Sequence, residues 1–266
     1  NGGELTMTGG TISTSAKGGN ALVATNSGTV TISKTTITST GASSARGLHS
    51  TYGGSITASE VTITTSGGSC ATLATDRGEG TVSVSGSTLE TNGVGSPIIY
   101  STGNISINKT TGVAKNSQMV VVEGKNSATV KNSTLEASGQ GNRGSDNKTD
   151  SCGVMIYQSM SGDASEGVGT FTSSGSTLTI SKDSDYYDSA PMFFVTNTEA
   201  IINLTNTKLN YGSGVLLNIG GTTEWGNSGS NGGVVTVNLE KEDISGNILV
   251  DNISTLTLNL KNSKLS

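Results

Sequence analysis

The residues of this sequence that could bind a ligand, hold a metal or move a proton are unevenly spread. Aspartates gather in two stretches, GQGNRGSDNKTDS (139–151) and SKDSDYYDSA (181–190), which supply Asp146, Asp150, Asp183, Asp185 and Asp188. Several carboxylates beside loop carbonyls make the oxygen-rich surroundings that Ca²⁺ takes. These five are therefore the candidate metal ligands, and calcium is the one cofactor the sequence suggests. Asp183-Ser-Asp185-Tyr-Tyr-Asp188 lacks the glycine and the distal glutamate of an EF-hand loop, so solvated turn aspartates are the plainer account. Aromatic residues crowd the same region. Tyr157, Tyr186, Tyr187, Phe193 and Trp225 lie within it, in a chain with one Trp and only 4% aromatic residues. With Asp163 as a hydrogen-bond acceptor they form the candidate ligand-binding set, offering rigid apolar faces to a sugar ring or a partner chain. The competing account is that they pack the loops down.

Enzymatic chemistry has thinner support. Glu90 and Glu136 fall at equivalent positions two repeats apart, roughly 10 Å at the parallel-strand spacing, which is near the wide limit for an inverting carboxylate pair. Open Thr and Ser surround them, with no pocket wall in prospect. His49, the only histidine, reads as a lone surface side chain, since a general base or a metal ligand needs partners in reach. No catalytic residue is assigned. The sequons Asn104-Ile-Ser106, Asn132-Ser-Thr134 and Asn203-Leu-Thr205 are what chance supplies in a chain this rich in Asn, Ser and Thr.

A repeat must position all of these residues. Gly28–Gly53, GTVTISKTTITSTGASSARGLHSTYG, reads as three short strands separated by turns, and its neighbours on both sides copy it. Units begin near Gly3, Gly28, Gly54, Gly80, Gly103, Ser127, Gly169, Glu199, Gly233 and Thr255, with spacings of 25, 26, 26, 23, 24, 42, 30, 34 and 22 residues. Stacking them aligns one column of Leu5, Val30, Ile56, Val82, Ile105, Ala128, Phe171, Ile202, Val235 and Leu256. A second runs from Met7 and Ile32 to Val237 and Leu258. A third holds Ile12, Ile37, Ile63, Leu89, Leu135, Leu178 and Leu209, with Val113 irregular and Ile244 displaced. Period-2 alternation in short segments is a strand signature. The expectation is an all-β, right-handed parallel β-helix of about ten coils, a solenoid stabilised by nearest-neighbour stacking.

The third strand is apolar on both faces. Leu22, Leu48, Ile98, Val120, Val154, Met192 and Leu216 are placed inward, which leaves Val23, Leu73, Ile99, Val121, Met155, Phe193 and Leu217 as an outward stripe, a contact site or a surface covered by other chain. Residues 1–126 have short turns and Thr/Ser/Asn ladders on their outer faces and read as scaffold, whereas residues 127–266 carry the long loops. The four loops 139–151, 159–168, 181–190 and 220–232 should wall the third-strand face of coils six to eight, with Tyr157, Tyr186, Tyr187 and Trp225 partly exposed. The Thr-x-Thr ladder resembles an ice-binding array, but Ser55, Asn104, Asn108 and Lys131 interrupt it. Cys70 and Cys152 fall in one column three coils apart, roughly 14 Å, too far for a disulfide.

Composition bounds the rest. The 266 residues form one unbroken repeat, read as a single domain (1–266), and the start at Asn1-Gly2-Gly3 suggests a piece of a longer, processed protein. A net charge of −5 with scattered Lys and Arg gives no basic stripe for nucleic acid, and no apolar run approaches a membrane span.

As a whole the repeat resembles the pectin-lyase-like β-helix superfamily. Two stretches, Val154-Met-Ile-Tyr-Gln-Ser-Met-Ser-Gly-Asp163 and Trp225-Gly-Asn-Ser-Gly-Ser-Asn-Gly-Gly-Val234, are similar to segments of adhesin-like surface proteins of gut-dwelling anaerobic bacteria. The resemblance implies an extracellular β-helix presented on the cell surface, though the family's motifs do not establish its ligands. The expectation drawn from the residues is a non-enzymatic, adhesin-like protein whose partner is an extracellular glycan or a host or bacterial surface protein, with no membrane insertion by this segment. It offers no catalytic residues to carry over. The alternatives are a polysaccharide lyase or glycoside hydrolase of the β-helix class, and a passive stalk.

Overall fold

A computed structural model describes residues 2–142 and 149–266. The chain is a right-handed parallel β-helix. Its first sheet has ten strands, its second eight and its third nine, and in every sheet each strand pairs with the strand one coil earlier and one coil later. One full turn is seen in Thr29–Ser33, Thr36–Ser39 and Leu48–Ser50. Alternation dictates what each strand buries: in Thr29–Ser33 the side chains of Val30 and Ile32 face in while Thr29 and Thr31 face solvent. Val30 sits over Ile56 and Ile37 over Ile63, so aliphatic side chains stack along the axis into one long core.

The corner between the first two sheets is a two-residue device. Its first residue takes a left-handed conformation in coil after coil: Lys34, Glu60, Gly86, Lys109, Asn132, Gly175, Asn206, Lys241 and Asn262, with φ between 48° and 59°. Such a backbone is unfavourable for most side chains, so a compensating interaction is needed. The second residue provides it in several coils through a hydroxyl pinned at both ends. Ser133 Oγ donates to Lys131 O at 2.6 Å and accepts the Thr110 N–H of the coil below at 3.1 Å. Ser176 Oγ in turn donates to Ser174 O at 2.9 Å and accepts the Ser133 N–H at 3.1 Å. Asn132-Ser-Thr134 is therefore one copy of this corner and not a chance sequon. In one coil Glu242 replaces the hydroxyl and takes the Thr207 N–H at 2.7 Å. Burial raises its carboxyl pKa above the ordinary value.

Three registers differ from the sequence expectation. In the first sheet Ile202 pairs with Val237, and Ala200 with Val235. The strands Thr198–Thr205 and Gly233–Glu240 each run eight residues, so an extra inward position precedes the usual pair and displaces any alignment made on the first apolar residue. In the second sheet Gly112, not Val113, continues the inward column between Leu89 and Leu135. A side chain on Gly112 would meet Leu135 Cδ2 at 2.8 Å and Ile98 Cδ1 at 2.9 Å, so those neighbours already fill the space.

In the third sheet the inward column runs Leu22, Leu48, Leu73, Ile99, Val120, Val154, Phe193 and Leu217. Leu73, Ile99, Phe193 and Leu217 are therefore core residues and not part of an outward stripe. Ile98, Met192 and Leu216 are in the core as well. Ile98 and Met192 stand just before their strands, at the corner, and Leu216 sits at a register shift within Val215–Ile219, so that two consecutive side chains reach the interior. The cysteines do not share a column either. Cys70 lies three residues before Leu73 and Cys152 only two before Val154, its register partner, and both are buried thiols.

Candidate functional site

The outer face of the third sheet changes character along the axis. Its central outward column runs Val23, His49, Ala74, Tyr100, Val121, Met155, Phe194 and Asn218. From Val121 to Phe194 the face is apolar and buried, before it ends in the polar, half-buried Asn218. Trp225, from the loop after the eighth third-sheet strand, lies edge-on to Tyr157 with ring centroids 5.3 Å apart and planes at 72°. Together they close over Val121, Cys152, Met155 and Phe194 to make a second, smaller core. Asn231 staples the loop, its Nδ2 donating to Thr222 O and Trp225 O at 2.6 Å each.

Before Tyr100 the face is polar, and His49 is its hub rather than a lone surface group. The Arg46 backbone N–H donates to Asn20 Oδ1 at 2.9 Å, which fixes the amide so that its NH₂ donates to His49 Nδ1, also at 2.9 Å. That occupies Nδ1 as an acceptor and leaves the proton on Nε2, 3.6 Å from Asp76 Oδ2. Arg46 Nη1 reaches the same oxygen at 3.1 Å. The His49 side chain, the Arg77 backbone N–H and the Arg46 guanidinium hold the Asp76 carboxyl well below the usual carboxylate range, against the opposing effect of burial. A second ion pair stands nearby, Arg77 Nε to Asp163 Oδ1 at 2.6 Å.

Between the pairs lies an open cleft of about 290 Å³, lined by Arg46, Asp76, Tyr100, Asn142 and Asp163 among others. Half-buried Tyr100 is its aromatic wall. Buried Glu123 holds that ring from beneath: its carboxylate accepts the hydroxyls of Tyr100 and Ser159, and that of Tyr157 at 3.2 Å. Glu123 thus joins the polar cleft to the apolar cap.

The residues singled out in the sequence separate into different environments. Asp163 lines the cleft. Tyr157 and Trp225 are buried and seal the apolar half, and Phe193 is interior, with its ring centroid 5.8 Å from that of Phe171. None of these three offers a face to a ligand. Tyr186 and Tyr187 are half-buried against the main core. Tyr186 and Asp185 form a ridge between two further clefts, one of about 280 Å³ toward the second sheet and one of about 530 Å³ toward Phe194 and Asn218. Loop 220–232 lies on the floor that it was expected to wall.

The four described aspartates, Asp150, Asp183, Asp185 and Asp188, do not form a shared metal-binding cluster. Asp150 is buried, accepting from Gln118 Nε2 at 3.0 Å and the Asn142 N–H at 3.1 Å, and Asp183 and Asp188 are exposed in their loop. Asp146 lies outside the described residues. Among the described residues no three His, Cys, Asp or Glu side chains gather where they could share a cation.

Glu90 and Glu136 do occupy one outward column, on either side of Val113. Glu90 is paired with Lys115 at 2.8 Å, which lowers its pKa. Glu136 is less open than expected, since it lines the 280 Å³ cleft beside Ser181–Tyr186.

The sequence reading misses Asn20, Arg46 and Asp76, and takes His49 as a lone group, because the four come from three successive coils of the plain half. The available signal was the register Leu22, Leu48, Leu73, which places Arg46 two residues before one of these leucines and Asp76 three after the next. A scan against protein-family models and searches of curated proteins and of solved structures returned no match to this chain.

Proposed function

We propose that this β-helix is a non-enzymatic binding protein of the cell surface that holds a carbohydrate chain against the outer face of its third sheet, in the cleft beside Tyr100. The observation that carries this reading is the pairing of an immobilised aromatic ring with flanking Arg46–Asp76 and Arg77–Asp163 pairs. An aromatic side chain beside planar polar groups in a concavity suits a sugar, which presents C–H bonds on one side and hydroxyls at its rim. Binding without chemistry is supported by the state of one candidate proton carrier. Asp76 is held ionised by its neighbours, so it is not poised to exchange a proton near neutral pH.

Surface display rests on the similarity of Val154–Asp163 and Trp225–Val234 to segments of adhesin-like proteins. Those two stretches meet in the Tyr157–Trp225 contact, so what they share is a way of closing the apolar half. The test is a glycan array probed with wild type and with Asp163→Asn, Tyr100→Ala and Tyr186→Ala proteins. Loss of a glycan signal in the first two but not the third supports the Tyr100 cleft. Loss only in Tyr186→Ala moves the site to the ridge over coils six to eight, and silence across the array leaves the passive stalk.

A further inference from the structure

The segment after Tyr157 turns back along the axis, and we infer that it is a strap whose tip opens and closes over the corner of coil three, latched by the Arg77–Asp163 ion pair. That pair joins residues 86 apart in the chain. Both feet of the strap are pinned. Gln158 O accepts from Asn197 Nδ2 at 2.7 Å, and the Ser159 hydroxyl donates to buried Glu123. At the other foot Ser165 O accepts the Lys125 N–H at 2.9 Å, and Gly167 O accepts from Thr198 Oγ1 at 3.2 Å. Gln158 Nε2 donates across the neck to Ala164 O at 3.3 Å.

Between the feet the tip stands clear of the body. A side chain on Gly162 would meet nothing within 4 Å, and Met160 is exposed. The polar contacts of the tip are local: the Met160 N–H donates to Gln158 Oε1 at 3.1 Å and the Ser161 N–H to Ser159 Oγ at 3.1 Å. Among the described residues, the bond from Arg77 Nε to Asp163 Oδ1, at 2.6 Å, is what ties the tip to the helix. Under the arch lies a hollow of about 440 Å³, lined by Gly78, Glu79, Gln158, Met160, Asp163 and Glu166 among others. Asp163 also lines the cleft beside Tyr100, so the latch is a wall shared by the two.

The strength of each tie decides what moves. The Arg77 side chain is 62% exposed and that of Asp163 34%, and a pair so open to water is weak and screened by salt. The feet are held by backbone and buried groups, which salt leaves alone. Gly162 and Gly167, with φ of 83° and 143°, are joints that turn without steric penalty. Met160, at φ 63°, holds a left-handed backbone that a methionine keeps only under constraint. Opening is therefore a local movement of the tip between fixed feet, and rising ionic strength favours it. The device needs no ligand, so it stands or falls apart from the carbohydrate reading.

The test is amide hydrogen exchange, followed by NMR on the ligand-free protein at about 0.01 M and about 1 M NaCl, between which the screening length falls from about 30 Å to about 3 Å. In the wild type the Met160 and Ser161 amides should exchange up to about fivefold faster at high salt, measured against the Lys125 amide, which reports a foot; the factor is what an exposed pair can supply. Asp163→Asn and Arg77→Gln should show the faster exchange at both salt concentrations, and Arg77→Asp combined with Asp163→Arg should restore the salt dependence. Lys125→Gln, which removes the nearby Lys125–Glu79 pair at 2.9 Å, should behave as wild type. Tip amides indifferent to salt and to both single variants would overturn the latch, as would equal release by Lys125→Gln. A Lys125 amide that speeds up in step with the tip would also overturn it, by showing that the whole segment detaches.

Discussion

The two halves of the third-sheet outer face share a backbone, a register and a column of outward positions, yet one is wet and ionic and the other is dry. His49, Ala74 and Tyr100 belong to the first; Val121, Met155 and Phe194 belong to the second. Strand sequence alone does not create the difference. An outward valine or methionine becomes core when a loop is laid over it, and loop 220–232, with Trp225, does that here. A solenoid face is thus specified twice, once by the strand and once by whatever insertion folds back on it, and only where the second is missing does a surface remain for binding.

The sharpest way to break this comparison is Trp225→Ala. Truncating a buried indole typically costs about 3–5 kcal/mol, read as a large fall in the denaturation midpoint with a gain of hydrophobic-dye binding as Val121 and Phe194 are uncovered. Ligand binding in the polar half should persist below the new midpoint; its loss would mean that the two halves form one unit. Glu123→Ala tests their junction. Leaving the Tyr157 hydroxyl buried without its carboxylate should cost about 2–3 kcal/mol, and a cycle with Tyr157→Phe should be clearly non-additive, whereas additivity would deny the coupling.

Asp76→Asn has a smaller effect, about 1 kcal/mol at neutral pH, because the Arg46–Asp76 pair is partly open to solvent. Its sign with pH is fixed. A carboxyl whose pKa is depressed by folding contributes stability above its unfolded value, near pH 4, and loses it as pH falls through the folded value. Wild type should therefore lose stability below about pH 4 more steeply than the variant does. A variant with an unchanged acid limb would show that Asp76 is not held this way.

The smallest change expected is a gain. Glu242 lacks the hydroxyl donors that surround Glu123, and a carboxyl whose pKa is raised by burial costs stability as pH rises from its unfolded value through its folded one. Glu242→Gln keeps an acceptor for the Thr207 N–H and should raise the midpoint slightly at pH 7 but not at pH 4. A loss at both would show the carboxylate to be better satisfied than Thr207 alone makes it.

Much of the fold could be read directly from the sequence because one face of each first- and second-sheet strand is polar. Val30, Ile56 and Val82 announce their register through the Thr and Ser between them. The third strand gives no such cue. Period-2 alternation vanishes when both faces are dry, as in Ile98-Ile99, Val120-Val121 and Phe193-Phe194, so the sequence reading turns Leu73 and Phe193 outward to keep His49 and Glu123 from the interior, whereas both polar side chains are buried. The site suffered from a different blindness. Trp225 and Tyr157 drew notice as rare aromatics, but rarity does not distinguish a platform from a plug. Asn20, Arg46, His49 and Asp76 are ordinary until three coils are stacked, and no spacing within one coil betrays them.

The two-residue corner has a consequence for what can be built on this scaffold. The first sheet runs from Lys131 to Ser174 in perfect step although a coil with two long excursions intervenes, because each passage through the left-handed residue and its pinned hydroxyl restarts the count. Length errors made at the other corners are erased before they reach the next coil. The solenoid therefore behaves as a chassis with one rigid seam and two permissive ones, and a foreign peptide inserted between the exposed Asp188 and Ser189 should be carried without disturbing the coils above or below it.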